Sequence, residues 1–272
     1  MLFADLALAQ RLERNEALNN AEYAHTLKRL QPDSSAQVVP VAGGYATFTR
    51  PDFPVNRAIG LGMSQPVTDA DLDTLEALYR GYGLPAQVDV CPLADGSLVA
   101  ALGRRGYRIV RFFNRHIRAI GAADMQEAPY PAIRVAAVAA DDIDLWERTV
   151  DRGFSGRDDL AADAMGLSLA RLAFQRPTVT CFLARIGDEP VGAAGLAIRD
   201  GLATFFSTST RVEYRRRGVH TALLRARLAA AASAGCGLAT VAPLPGSDSQ
   251  RNVQRAGFQI AYTRLVMQRE LA

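Results

Sequence analysis

Two stretches of this chain repeat each other at a constant spacing, and that duplication limits the available folds more than any other feature. Val90-Cys91-Pro92-Leu93, followed by Arg104-Arg105-Gly106-Tyr107, stands opposite Val241-Ala242-Pro243-Leu244, followed by Arg255-Ala256-Gly257-Phe258. Every pair is 151 residues apart. In both copies a helix comes first, then a strand, a helix, the Gly-aromatic pair and a long strand. A fixed offset over several positions reads as a tandem duplication of one α/β unit. A chain of 272 residues has room for two such units.

Periodicity and breakers fill in the elements. Residues up to about 30 read as helix, with Leu6, Leu8, Leu12, Leu18 and Ala21 near helical spacing. Strands are expected over Ala36 to Val41, Tyr45 to Thr49 and Ala58 to Met63, then a helix from Thr68 to near Gly83. Gln87 to Cys91, Gly96 to Arg105 and Arg108 to Ile120 read as strand, helix and strand. Gly121 to Pro131 carries two prolines and reads as the linker. In the second copy Ile133 to Val138 is an expected strand, with helices over Asp141 to Asp151 and Asp158 to Phe174. Three strands follow, Val179 to Arg185, Pro190 to Ile198 and Leu202 to Ser209, with turns at Gly187 and Gly201. Val219 to Ala234 is a long helix, Leu238 to Ala242 a strand, Asp248 to Ala256 a helix and Phe258 to Arg269 the last strand. The fold class is α/β, an α+β mixed sheet in two tandem domains, 1–122 with a leading helix and 132–272.

Composition excludes several function classes. Hydrophobic residues at 49% and charged residues at 22% suit a globular chain with a core. No apolar run is long enough to span a bilayer, and Met1 to Arg11 lacks a basic leader, so no membrane association and a cytoplasmic location are expected. A net charge of +3 gives no reason to expect nucleic acid as a partner. Cys91, Cys181 and Cys236, like His25, His116 and His220, are scattered, which argues against a disulfide framework or a metal site. The three thiols read as small buried hydrophobes.

One segment carries chemistry. Thr208-Ser209-Thr210-Arg211-Val212-Glu213-Tyr214-Arg215-Arg216-Arg217-Gly218-Val219-His220-Thr221 joins a strand to a long helix. The start of a helix presents N–H groups without intrahelical partners, and the dipole favours an anion there. Gly218 lets the backbone come close to such a group. Arg215, Arg216 and Arg217 add positive charge at the same turn. A di- or polyphosphate is the expected ligand. The Gly-Lys-Ser/Thr end of a Walker loop is missing. At the 151-residue offset the first copy has Ser64-Gln65-Pro66-Val67 instead of the arginines and Gly218.

This turn, with its flanking order of elements, resembles the acetyl-CoA motif of the GNAT superfamily of N-acetyltransferases, Arg/Gln-x-x-Gly-x-Gly/Ala. Arg215, Gly218 and His220 occupy its defined positions, and His220 replaces the small last residue. The resemblance covers about 133 to 272 well and 36 to 120 as a degenerate copy, so the chain looks like a tandem-GNAT protein. It implies acetyl-CoA as co-substrate and no metal. It implies that backbone groups of Ser207, Thr208, Ser209 and Thr210 pair with the pantetheine arm, and that N–H groups from Arg216, Arg217, Gly218, Val219, His220 and Thr221 hold the pyrophosphate. Asn252 lies on the helix that in relatives helps hold the arm. A strand N–H near Ser207 to Ser209 would stabilise an oxyanion.

The catalytic residues stay open. The tyrosine that relatives often carry four residues before the Gly-aromatic pair is here Val253. Ser249 and Glu213 are the candidates that remain. Glu147, Asp151, Asp158 and Asp159 fall where relatives shape the acceptor pocket, and Trp146 and Phe154 read as core. The implied activity is transfer of an acetyl group to a primary amine of a small acceptor. The alternatives are a non-catalytic CoA-binding module of the same fold and a transferase using another acyl donor.

Overall fold

The computed structural model describes residues 2–125, 132–156 and 168–271. The first half runs α1 (Leu6–Leu30), β1 (Gln37–Val41), β2 (Gly44–Phe48), β3 (Arg57–Ile59), α2 (Asp69–Arg80), β4 (Ala86–Val90), α3 (Gly96–Arg104) and β5 (Arg108–Ala119). The second runs β6 (Arg134–Ala137), α4 (Ile143–Ser155), α5 (Leu169–Phe174), β7 (Val179–Ile186), β8 (Glu189–Arg199), β9 (Leu202–Thr210), α6 (Val219–Ser233), β10 (Leu238–Val241), α7 (Asp248–Arg255) and β11 (Gln259–Arg269). The strand expected over Ala58 to Met63 ends at Ile59, because Gly60 and Gly62 turn the chain with φ of 81° and 70°, values that glycine adopts freely. The helix expected over Asp158 to Phe174 is described from Leu169 onward. Asp158, Asp159 and residues 126–131 of the expected linker lie outside the described residues.

Two compact units result. Phe3–Arg115 and the chain from Ile260 onward form the first, and His116–Gln259 form most of the second. Nearly all of β11, the last strand in sequence, thus belongs to the first unit, and the end of β5 from His116 belongs to the second.

In the first unit the strand order is β1-β2-β3-β4-β11-β5, with β3 and β4 parallel and Ile59 opposite Asp89. Val88, Val90 and Met267 share a core with Leu72, Leu75, Tyr79, Leu98 and Leu102 of α2 and α3. Side chains alternate across a strand, so Asp89 and Arg264 face the other way. On that side Arg264 donates to Glu13 of α1 at 2.8 Å and to Asp89 at 2.9 Å, and Tyr262 donates to Glu13 at 2.6 Å. Arg115 meets Glu16 at 3.3 Å. Each of these buried acids has an arginine beside it, which is the condition for burying charge.

In the second unit the order is β5-β10-β9-β8-β7-β6. Trp146, Val150 and Ala170 of α4 and α5 pack on Cys181, Leu183 and Ala193. Leu223, Leu224 and Val253 of α6 and α7 pack with Phe205 and Phe258 in a separate core. The unit is therefore layered, with helices on both faces of a mixed sheet.

Candidate functional site

The site begins where two parallel strands part. β9 and β10 pair from Leu202↔Leu238 to Phe205↔Val241. β10 then ends, while β9 runs on to Thr210, held along its other edge by β8. Among the described residues, the β10-facing edge of residues 206–210 has no strand partner. An open parallel edge of this kind can take an extended ligand as an added strand.

A bulge shapes the same stretch. Ala193 pairs with Ser209 and Gly195 with Phe206, so Ala194 stands opposite both Ser207 and Thr208. Ser207 takes a left-handed φ of 46°. Non-glycine residues adopt that region at a cost of roughly 1–2 kcal/mol, and bulges concentrate at functional edges. Ser209 does not offer its side chain to the opening. Its Oγ donates to the Thr149 carbonyl at 3.3 Å, and it packs against Gly153 of α4.

Beyond β9 the chain reaches the arginine turn. Arg216 has φ of 63° and Gly218 φ of 87°. Left-handed residues alternating with others turn successive N–H groups toward one side and make an anion-binding concavity. Gly218 is the N-cap of α6, and among the described residues no side chain caps this helix. The N–H groups of the first turn are thereby left for a ligand. Val219 is buried, so only its backbone reaches the turn. Arg215 is engaged with the protein itself: its guanidinium donates to the Gly153 carbonyl at 3.1 Å and to that of Thr210 at 3.4 Å. Arg217 lies over the Tyr214 ring at 5.2 Å, and Arg216 and Arg217 are exposed.

The opposite wall comes from α7, capped by Ser247. Ser249 Oγ lies 3.4 Å from His220 Nε2, and His220 Nδ1 is buried with no hydrogen-bond partner among the described residues. Burial, and then the nearby Arg227 charge, push His220 down to about 4, so it is neutral at neutral pH. Asn252 is half-buried one turn further along α7. Val253, at the position of the family tyrosine, sits in the core.

Among the acids, Glu213 is exposed and ion-paired with Arg211 at 2.5 Å. A hydrogen bond from its own backbone N–H, and then Arg211, hold its carboxyl below the usual range. That is the wrong direction for a general base. Asp151 differs, since burial and then Glu147 raise its carboxyl. Glu147 is bound by Arg171 at 2.9 Å. Trp146 is buried and donates to the Ala194 carbonyl at 3.3 Å, as expected of core, whereas Phe154 is exposed on α4 rather than buried. None of the three cysteines is in a disulfide and all are buried, and burial pushes the Cys91 thiol up to about 11, against a nucleophilic role. Among the described residues no His/Cys/Asp/Glu group could hold a metal ion, and no helix is long and apolar enough to cross a membrane. The sequence reading missed Arg227, buried on α6; an arginine within an Ala/Leu-rich helix gives no signal of its orientation.

Comparison with known proteins follows the same outline. Residues 143–258 match the model of the acetyltransferase (GNAT) family. A GCN5-related N-acetyltransferase from Kribbella flavida superposes with a TM-score of 0.65 at 18% identity, covering 94% of this chain and 96% of that one. A conserved protein of unknown function from Staphylococcus epidermidis gives 0.57 at 12% identity, covering 90% and 97%. A tandem GNAT protein from the clavulanic acid biosynthesis pathway gives 0.53 at 14%, covering 82% and 73%. At such identities the likeness concerns the fold. No curated protein matches the sequence. The parted parallel strands, the uncapped helix behind them and the family match over both lead to one assignment: residues 143–258 form a domain of the acetyltransferase (GNAT) family.

Proposed function

We propose that the second unit is an acetyl-CoA-dependent N-acetyltransferase that acts on a primary amine of a small acceptor. The observation that carries this is the continuity of the open β9 edge with the uncapped N-terminus of α6. The two features suit the two halves of one ligand, an extended amide arm and a diphosphate. Backbone groups of residues 207–210 would hold the arm. N–H groups of residues 216–221 would hold the diphosphate, with Arg216 and Arg217 screening its charge. Asn252 would contact the arm from α7. When bound, acetyl-CoA supplies a thioester carbonyl carbon to which the amine nitrogen bonds as the C–S bond breaks, the bonding pair staying on sulfur and the amine proton passing to water. Backbone N–H groups freed by the bulge at Ser207 would stabilise the oxyanion.

Ser249 is the residue we assign to the sulfur end. It precedes Val253 by four residues, so the two share a face of α7. Helical side chains lean toward the N-terminus. A tyrosine at 253 would therefore carry its hydroxyl toward the place that Ser249 holds, beside neutral His220. Asp151, with its raised carboxyl, is the acid on α4 best suited to receive that proton from the water.

A second reading is a CoA-binding module without turnover, favoured by Val253 in place of the tyrosine. Thermal melts with acetyl-CoA and thiol release over a panel of amines separate the two. A raised melting temperature with thiol release supports the enzyme. A raised melting temperature without release on any amine supports the module. Arg217→Glu with Gly218→Asp should abolish the thermal shift, and a shift that survives removes the diphosphate site.

A further inference from the structure

A buried cation lies under the point where β9 and β10 separate. Arg227 stands two turns after His220 on the same face of α6 and is 1% exposed. Its Nε donates to the Leu223 carbonyl at 3.1 Å and its Nη1 to the Gly195 carbonyl at 3.1 Å. Its guanidinium carbon lies 4.6 Å from the centre of the Phe205 ring. Phe205 is the last β9 residue paired with β10, and Gly195 borders the bulge that carries Ser207. No carboxylate among the described residues forms an ion pair with Arg227, and burial pulls its guanidinium down to about 9, which leaves it charged at neutral pH.

The first unit handles the same problem differently. Arg264, its deeply buried arginine, is matched by Glu13 and Asp89. A buried charge without an opposite partner is costly, and two neutral carbonyls and a ring face offset it only in part. The Phe205 ring that Arg227 covers marks the place where β9 and β10 part, so an anion held between those strands would bring a counter-charge toward it.

We infer that Arg227 is a positioning residue that makes the strand opening electropositive at its closed end, so that negative charge left on the CoA sulfur is stabilised there. This rests on the acetyltransferase reading above and deepens it. It supplies what the missing tyrosine would otherwise give, because a sulfur stabilised as the anion needs no proton to depart. The transfer stays balanced as written: the C–S pair remains on sulfur, the new bond is C–N, and the amine proton goes to water. Arg227 also holds the Gly195 carbonyl beside the bulge, so it steadies the N–H groups near Ser207.

The test reads the thiol of bound CoA rather than turnover. The ultraviolet absorbance of the thiolate is titrated in the CoA complex, with the desulfo-CoA complex as blank, so that protein groups cancel. In the unaltered protein the thiol should titrate about one unit below that of free CoA, the shift expected of a nearby opposite charge. Arg227→Gln removes the charge and keeps a donor where Nε meets the Leu223 carbonyl. It should still bind CoA, with the thiol returned to the free value. An unshifted thiol in the unaltered protein overturns the inference, as does an equal shift in Arg227→Gln. Should Arg227→Gln not fold, Arg227→Lys, which moves the cation, must change the bound value, and an unchanged one overturns the inference. Failure of CoA to bind the unaltered protein at all sinks the acetyltransferase reading itself, a result distinct from binding with an unshifted thiol.

Discussion

Gly153 lies where α4 crosses β9, and replacing it with alanine should damage the candidate site from behind. A Cβ at this position would lie 2.5 Å from Ser209 Cβ, 2.6 Å from Ser209 Oγ and 3.0 Å from the Thr210 backbone nitrogen. The first two belong to a short buried side chain and the third to backbone, so none can swing aside. In an open helix the change from glycine to alanine would stabilise by roughly 0.5–1 kcal/mol. Forcing a methyl into a packed contact costs about 1–3 kcal/mol. The second effect wins, and the net loss should be about 1–2 kcal/mol. That corresponds to a melting temperature lower by roughly 2–6 °C for a chain of this size. The Gly153 carbonyl also accepts from Arg215, so a displaced α4 end loosens the arginine turn as well. Thermal melts of Gly153→Ala, Ser209→Gly and the double variant make a cycle. The double variant should recover most of the loss, because Ser209→Gly removes the atoms in the way. Acetyl-CoA should stabilise Gly153→Ala less than the unaltered protein. A neutral or stabilising Gly153→Ala would refute the proposed contact.

Three further outcomes follow from the same geometry. Gly103 of α3 has nothing within 4 Å of a built Cβ, so Gly103→Ala should stabilise by about 0.5–1 kcal/mol; a loss in urea melts would contradict this. Burial alone would raise Glu16, but Arg115, Arg264 and Arg57 outweigh it and hold the carboxyl at about 2 against an ordinary 4.5. The stability this gives is complete above 4.5 and disappears as pH falls toward 2, about 3 kcal/mol in all; Glu16→Gln should flatten the acid limb of stability against pH, and identical limbs would count against the network. The raised carboxyl of Asp151 has the opposite sign, since stability is lost as pH rises through its titration. Asp151→Asn should therefore melt higher at neutral pH, with the gain vanishing in acid, and a gain independent of pH would point to another cause.

Most elements were legible because each has one apolar face at its own period. α2 announces its start with Thr68 and Asp71, which form a reciprocal cap in the structure. The turn at Gly218 was legible because glycine and clustered arginines have few other reasons to meet before a long helix. The place of the final strands was not legible: β11 joins the first unit, while only the end of β5 from His116 joins the second. β5 and β11 occupy the same place in their copies and both mix apolar and basic residues, so nothing local decides which unit each joins. The role of Ser209 was hidden for a related reason. A serine on a strand can face either side, and the bulge at Ser207 changes which side it takes. Arg227 was hidden because α6 is apolar nearly all round, leaving no polar stripe to depart from.

The two copies diverge most at the helix that follows their parallel strands, and this decides how many ligands one chain can bind. In α2 the Thr68 side chain accepts from the Asp71 N–H, and Asp71 Oδ2 accepts from the Thr68 N–H at 2.8 Å. The N–H groups that α6 leaves open are used here by the protein. Asp69 and Asp71 place two negative charges in the first turn, each of which would oppose a phosphate by about 1 kcal/mol. The strand edge is closed too. After β3 the Gly62 N–H donates to the Ala42 carbonyl, the Gly62 carbonyl accepts from Asp95, and a Cβ on Gly62 would meet Val67, Leu98 and Ala94 at 3.3 to 3.6 Å. Calorimetric titration with CoA should therefore give one site per chain, and Arg217→Glu with Gly218→Asp should remove all measurable binding. Replacing Thr68 and Asp71 with alanine should lower stability by about 1 kcal/mol without opening a second site, because the filled strand edge remains. Two sites in the unaltered chain, or residual tight binding after the changes at 217 and 218, would mean that an empty cap and an open edge are not what distinguishes the copies.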